Sequence, residues 1–413
     1  MAEFDDEDNT DMEIISDSEE WCLVEKKKRN CSNEIVSSSI SPSDSTNHVS
    51  VKKIVEKTIR LSLRRNEGME IKDVVKENAL RFLPAKVLTR FSTVSKNWEH
   101  WINSPFLAYQ QSYSFLDISG FFCQSYNTIP RFLSLDHAVY GVPAPSLSFL
   151  PVDVDIIGST HGLLVCQACT GTVNSYYICN PANKDFKELP KPGYYHGLDS
   201  ACVLAFDPCL LNMGAHYHLV CAVPLVGQPT VMFEIYSSET ESWRCSDAVC
   251  VELDRFEFTG SGLYMKGVAF WRTSTNKVLA FDLKNEVYGI LSLPEEIPPI
   301  GVLAEIKGEL CYLCMWRTDM NKYVVDIYCG AELRFGRRID VKSETMAAGI
   351  GGYYGILPWV FEGGEMVMMI VGDIMYACSL RDGRIEKVGS CGQIQFSCST
   401  RVLPYVNSLV YVA

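Results

Sequence analysis

A chain of 413 residues with 47% hydrophobic content leaves room for two or three domains and a sizeable core. The formal net charge of −13 is lopsided: residues 1–20 carry ten acids and no Lys or Arg, and the remaining 40 acids nearly balance 37 bases. A near-neutral body argues against nucleic acid as a partner, and no apolar run approaches the ~18 residues of a spanning helix, so no membrane partner is expected.

Residues 1–66 are acidic, then serine-rich, with little to bury, and are expected to be largely disordered. Lys26-Lys27-Lys28-Arg29 reads either as a nuclear import signal or as a solvated charge run, so nucleus and cytoplasm both stay open. Ser16 to Glu20, after Ile14-Ile15, has the pattern of a short partner-binding or phosphorylatable segment. Within 51–65, Val51, Ile54, Val55, Ile59 and Leu63 mark a basic amphipathic helix, expected to pack on the next region and not to anchor in a bilayer. The N-terminus has no basic-then-apolar leader. Seventeen cysteines scattered through apolar runs therefore read as small core residues of a reduced intracellular protein.

Residues 68–112 read as short amphipathic helices. Ile71, Val74, Val75, Ala79 and Phe82 recur at the three-and-four spacing of one helix face. Leu83-Pro84 interrupts, because the residue before a proline avoids the helical region while proline suits a first turn. Leu88, Phe91, Val94, Trp98, Trp101 and Ile102 form the next apolar series, with Pro105 expected to close it. So small a unit cannot bury that much apolar surface alone, and the excess calls for a partner.

From Phe115 onward, short runs rich in Val, Ile, Tyr and Phe alternate with Gly, Pro, Asn and Asp, which is the pattern of consecutive strands. A loose repeat of strand, polar turn and strand appears at 176–190, 231–245, 278–294, 323–339 and 375–389. The turns recur every ~45–57 residues, the size of a four-stranded propeller blade. The expected fold is α+β multidomain: a small helical unit, then an all-β propeller of about six blades over 115–413. Strands near 394–412 are expected to close the ring against the 115–150 region, removing sheet edges.

Chemical motifs are sparse. Cys166-Gln167-Ala168-Cys169 and Cys311-Tyr312-Leu313-Cys314 lie far apart for a zinc ribbon, and in strands residues three apart face opposite ways. His216-Tyr217-His218 places two imidazoles on one strand face with no third ligand nearby. The glycine-rich stretch 349–355 fits a blade turn better than a phosphate loop. No catalytic, cofactor-binding or metal-binding residue is assigned.

Two resemblances organise these observations. Ile71, Leu80, Leu83-Pro84-Ala85-Lys86, Leu88, Arg90-Phe91, Val94-Ser95-Lys96, Trp98, Ile102 and Pro105 together resemble an F-box, with Lys72, Ala79 and Thr89 departing from its usual line. Gly158 to Leu164, Asn180-Pro181-Ala182, Leu189-Pro190, Phe206-Asp207-Pro208, Tyr236-Ser237 with Trp243-Arg244, and Phe281-Asp282-Leu283 with Leu293-Pro294 resemble the kelch-related F-box-associated domain of plant proteins. His161 stands where that family often has Asn.

The resemblance implies a non-catalytic substrate receptor of a Skp–cullin–F-box ubiquitin ligase. Ile71, Val75, Leu80, Leu83, Pro84, Leu88, Phe91, Val94, Trp98 and Ile102 would contact the Skp adaptor and through it cullin, while the propeller would hold a substrate protein. Two alternatives are a scaffold that has lost ligase assembly, suggested by Lys72 and Ala79, and a propeller enzyme acting at the central channel.

Overall fold

A computed structural model describes residues 75–76, 78–125, 128–136, 141–169, 174–225, 227–253, 256–259, 261–294, 301–319, 322–342, 354–361, 366–372, 374–390 and 400–413. The acidic tail, the 51–65 helix, Ile71, Val74 and residues 349–353 lie outside them. The described residues belong to one compact unit, Val49–Ala413. Among them no helix is long and apolar enough to cross a membrane.

The chain enters through a 3-10 turn, Leu80–Phe82, followed by helices α1 (Ala85–Ser92), α2 (Lys96–Ile102) and α3 (Pro105–Ser114). Pro84 is the N-cap of α1 and has extended backbone. The apolar series from Leu88 to Ile102 is two helices, because Ser95 caps α2 by accepting the Trp98 N–H. Pro105, expected as a terminator, starts α3 instead. Its missing N–H costs nothing in a first turn, and the Ser104 side chain accepts the Leu107 N–H.

Strands follow in chain order: β1 (Gly120–Gln124), β2 (Arg131–Ser134), β3 (Val154–Thr160), β4 (Leu163–Ala168), β5 (Tyr176–Asn180) and β6 (Asp185–Glu188). Next come β7 (Ala201–Ala205), β8 (His218–Pro224), β9 (Val231–Ser237), β10 (Ser242–Cys250), β11 (Leu263–Met265), β12 (Val268–Arg272), β13 (Lys277–Asp282) and β14 (Val287–Ser292). The last are β15 (Gly301–Ile306), β16 (Glu309–Asp319), β17 (Lys322–Cys329), β18 (Arg334–Val341), β19 (Tyr354–Phe361), β20 (Met366–Val371), β21 (Ile374–Ser379), β22 (Ile385–Ser390) and β23 (Arg401–Tyr405).

They form five four-stranded antiparallel sheets, β3–β6, β7–β10, β11–β14, β15–β18 and β19–β22, here blades 1 to 5. The sixth blade has three strands among the described residues, β2-β1-β23, and joins the two ends of the propeller chain: Gly120 pairs with Tyr405 and Gln124 with Arg401. Strands β23, β3, β7, β11, β15 and β19 touch in a closed circuit and line the ring interior. Pro404 is tolerated because β23 is the inner edge of its sheet. The repeats read from the sequence are the outer hairpins of blades 1 to 5.

Each pair of neighbouring blades shares one apolar cluster. Along β7, Cys202 and Leu204 face blade 1, while Val203 and Ala205 face blade 3. Along β8, Leu219, Cys221 and Val223 face blade 1 and Val220 and Ala222 face blade 3. Period-2 alternation with both faces buried gives these strands their continuous apolar runs.

The cysteines depart from one expectation. Cys311 and Cys329, opposite each other on β16 and β17, form a disulfide, whereas Cys314 lies opposite Asp326. Buried, unbonded Cys166, Cys179, Cys250 and Cys378 do act as small core residues.

Candidate functional site

The helices have two unlike sides. Leu80, Leu83, Ala85, Leu88, Ile102, Leu107 and Ala108 pack with Leu409 from the segment after β23. Five of the residues assigned to adaptor contact, Leu80, Leu83, Pro84, Leu88 and Ile102, are thus buried within this unit. Val75 is half-buried against the same cluster, and Ile71 lies outside the described residues. Of the remaining three, Phe91 and Val94 sit on the open side and Trp98 lies between it and the core cluster. Phe91 is 37% and Val94 66% exposed, and half-buried Trp98 meets Phe91 edge-on at 6.0 Å between ring centroids. Lys76 Nζ lies 5.9 Å from the Trp98 ring centre, giving the apolar patch a cationic rim.

Two fully buried amides fix the helices to the propeller. Gln111 Nε2 donates to Leu83 O (3.1 Å) and Asn407 O (3.2 Å), and its Oε1 accepts from Leu409 N (3.0 Å). Asn407 Oδ1 accepts from Lys86 N (2.8 Å), its Nδ2 donates to Gly141 O (2.9 Å), and its backbone N donates to Ser119 Oγ (2.9 Å). Ala85 N closes the set on Asn407 O at 2.9 Å. A buried amide is stabilising only when its donors and acceptors are met, and here they are. The segment after β23 is also tied to blade 1, through Ser408 Oγ to His161 O (2.7 Å) and Asn180 Nδ2 to Val410 O (2.7 Å).

Connections alternate between the two ends of each sheet. The helices, the His161-Gly162 turn and the segment after β23 share one end, so the connection from β6 to β7, residues 189–200, lies at the other. There Tyr194, Tyr195 and Leu198 are 46%, 53% and 63% exposed. Beneath them lies a buried polar cluster. His196 Nε2 is 2.8 Å from Glu234 Oε2, and its Nδ1 is 2.8 Å from Tyr176 Oη. Tyr176 Oη also meets Ser200 Oγ at 2.7 Å and Cys202 Sγ at 3.8 Å. Cys202 Sγ lies 2.8 Å from Cys221 Sγ on the next strand. Burial alone would raise the Glu234 carboxyl, but His196 and the Gly193 and Tyr194 N–H groups outweigh it and hold it below the usual range. Burial likewise opposes ionisation of Cys202, yet the Cys221 thiol and His196 draw it down to about 6.

Sequence reasoning missed this cluster, since its members come from four strands and a loop and share no spacing. The motifs it did weigh stay apart: His216 and His218 are exposed, and Cys166 approaches Cys179, at 4.0 Å.

Comparison with known proteins accounts for this architecture. Residues 137–329 match the F-box associated beta propeller domain, while the propeller itself extends beyond that match at both ends, from β1 to β23. F-box protein At5g07610 of Arabidopsis thaliana is 31% identical over 294 residues, 60% of this chain and 67% of the relative. F-box proteins At5g03970 and At5g49610 of the same plant are 24% and 26% identical over 54% and 56% of this chain. These alignments span 57–67% of the relatives' own lengths. The chain belongs to the plant F-box proteins that carry an F-box-associated β-propeller domain.

Proposed function

We propose that this chain is the substrate receptor of a Skp–cullin–F-box ubiquitin ligase, with residues 68–112 as its F-box. The observation that carries this reading is the patch of exposed Phe91 and Val94 beside half-buried Trp98 on helices whose other side is committed to Leu409 and Asn407. The buried members of the F-box line form the unit's core, and Phe91, Val94 and Trp98 meet the adaptor. The patch lies at one end of the propeller, and the loop bearing Tyr194, Tyr195 and Leu198 at the other holds the substrate protein.

The chemistry is proximity. A receptor that holds adaptor and substrate in fixed relation raises the effective concentration of substrate lysines near a ubiquitin-charged enzyme supplied by other subunits. This chain itself supplies no nucleophile. The amide clasp between helices and propeller would keep that relation fixed.

Affinity purification of the full chain tests both halves. Wild type brings down adaptor and cullin, and Phe91→Asp/Val94→Asp loses both. Tyr194→Ser/Tyr195→Ser keeps adaptor and cullin but loses the protein captured with wild type. Leu210 and Leu211, exposed on the connection from β7 to β8 at the helix end, offer the competing substrate surface. Loss of capture in Leu211→Asp alone would move the substrate site there.

A further inference from the structure

The cluster between blades 1 and 2 has the composition of a thiophilic metal site. We propose that His196, Cys202 and Cys221 bind one zinc ion, with Tyr176 Oη at the fourth position, as a structural staple between blades 1 and 2. One ligand atom from each of His196, Cys202 and Cys221 lies within 4.8 Å of the other two, and all three residues are buried. Two thiolates and an imidazole are the donors zinc prefers, and a closed set of four is the arrangement of structural sites.

The surroundings fit a ligand sphere. Glu234 takes His196 Nε2, and Nδ1, now hydrogen-bonded to Tyr176 Oη, is the ring nitrogen on the side of the sulfurs that would turn to the metal. Its carboxylate is itself held by Gly193 N at 2.6 Å and Tyr194 N at 3.2 Å. A carboxylate behind a ligating histidine is the usual outer-sphere support of zinc. Tyr176 Oη lies 2.8 Å from Nδ1, a hydrogen bond that would open by about 0.5 Å on metal binding, and 3.8 Å from Cys202 Sγ, within about 0.3 Å of the edge of a tetrahedron built on zinc bonds of about 2.0–2.3 Å.

The two sulfurs face each other across neighbouring strands. At 2.8 Å they are too far apart for a disulfide, which needs about 2.05 Å. They are also crowded for two free thiols. A shared zinc sets them about 3.8 Å apart, a separation reached by small χ1 changes on opposed strand residues. Two thiolates balance one divalent cation, and the remaining charge, on Glu234, is met by His196 and by the Gly193 and Tyr194 N–H groups.

The staple has a functional consequence that rests on the receptor reading: it fixes residues 191–199 and so pre-organises the loop carrying Tyr194, Tyr195 and Leu198. The metal itself does not depend on that reading.

The test uses the full chain, purified reduced and reloaded with zinc or cobalt. Elemental analysis is expected to give one zinc per chain, and cobalt an intense tetrahedral d–d band with thiolate charge transfer. Cys221→Ser and His196→Ala lose the metal, whereas Cys378→Ser, a buried cysteine in blade 5, keeps it. Glu234→Gln retains the stoichiometry and weakens affinity about 10–100-fold. Folded, reduced wild type that takes up neither metal would overturn the proposal. So would a cobalt spectrum without thiolate bands, or a linked Cys202–Cys221 peptide in freshly isolated protein. Because the decisive spectra come from wild type, a variant that fails to fold leaves the test intact. Loss of substrate capture with metal retained would count against the receptor reading alone.

Discussion

Two of the buried polar clusters among the described residues do opposite things. At the junction between helices and propeller, Gln111 and Asn407 are neutral amides whose hydrogen bonds run mostly to backbone groups. Between blades 1 and 2, His196, Glu234, Cys202 and Tyr176 are ionisable side chains bonded largely to one another. Amides hold one geometry across the whole working pH range. Ionisable groups in a dry site hold it only while their charge is balanced by protons or by a cation. The joint between helices and propeller is built from the first kind, and the site beneath the exposed aromatic loop from the second.

Breaking the junction should give the largest effect. Asn407→Leu removes the side-chain partner of the Lys86 N–H and the Gly141 carbonyl, both on half-buried residues, and leaves an apolar group among the backbone atoms of the joint. Each orphan costs about 1–3 kcal/mol, so a loss of about 3 kcal/mol is expected in urea unfolding of the full chain. Gly162→Ala attacks the same joint from the blade 1 side. Its φ of +90° disfavours any side chain, and a Cβ there would run into Ser408 Oγ and the Val406 carbonyl. A loss of about 1–3 kcal/mol is expected, read as a lowered unfolding midpoint. A smaller effect comes from the Ser95 cap of α2: Ser95→Ala should cost about 1 kcal/mol.

The smallest prediction sharpens the contrast in pH behaviour. His161 is the one titratable side chain in the turn that meets the segment after β23. Burial holds its pKa below the ordinary histidine value, partly offset by Asp207 and by Ser112. A depressed folded-state pKa means that stability is fully present above the unfolded value of about 6.5 and is lost as pH falls through the folded one. Replacing His161 with Asn, the residue common there in the family, should therefore flatten the acid side of the stability profile. An unchanged acid limb would assign that loss to other groups.

The propeller was legible because its outer hairpins carry their own signature. Polar turns between β-branched and aromatic runs recur at blade-length spacing, and closure follows from the need to hide edges. The helical unit was legible by periodicity, but its division was not. Ser95 and Ser104-Pro105 are both start signals, but the apolar series runs straight through the first, and the second reads as its end. What periodicity cannot give is which apolar side faces inward. Leu83 and Phe91 look alike in sequence, and only Leu409, more than three hundred residues away, decides that the first is core and the second exposed. The zinc-competent cluster escaped for the same reason. Its cysteines are opposed across strands 19 residues apart, whereas the C-x-x-C pairs that drew attention sit along single strands.

In the proposed receptor, Phe91, Val94 and Trp98 meet an adaptor while the amide clasp only fixes where they stand. Titration calorimetry of the purified Skp adaptor with the full chain tests it most directly, comparing wild type, Val94→Asp and Asn407→Leu. A charge placed in a desolvated contact is expected to cost more than 2 kcal/mol, so Val94→Asp should weaken binding at least about 30-fold. Asn407→Leu, held at a temperature where it is folded, should bind within a few-fold of wild type. Equal loss in both variants, or wild-type affinity in Val94→Asp, would contradict the account.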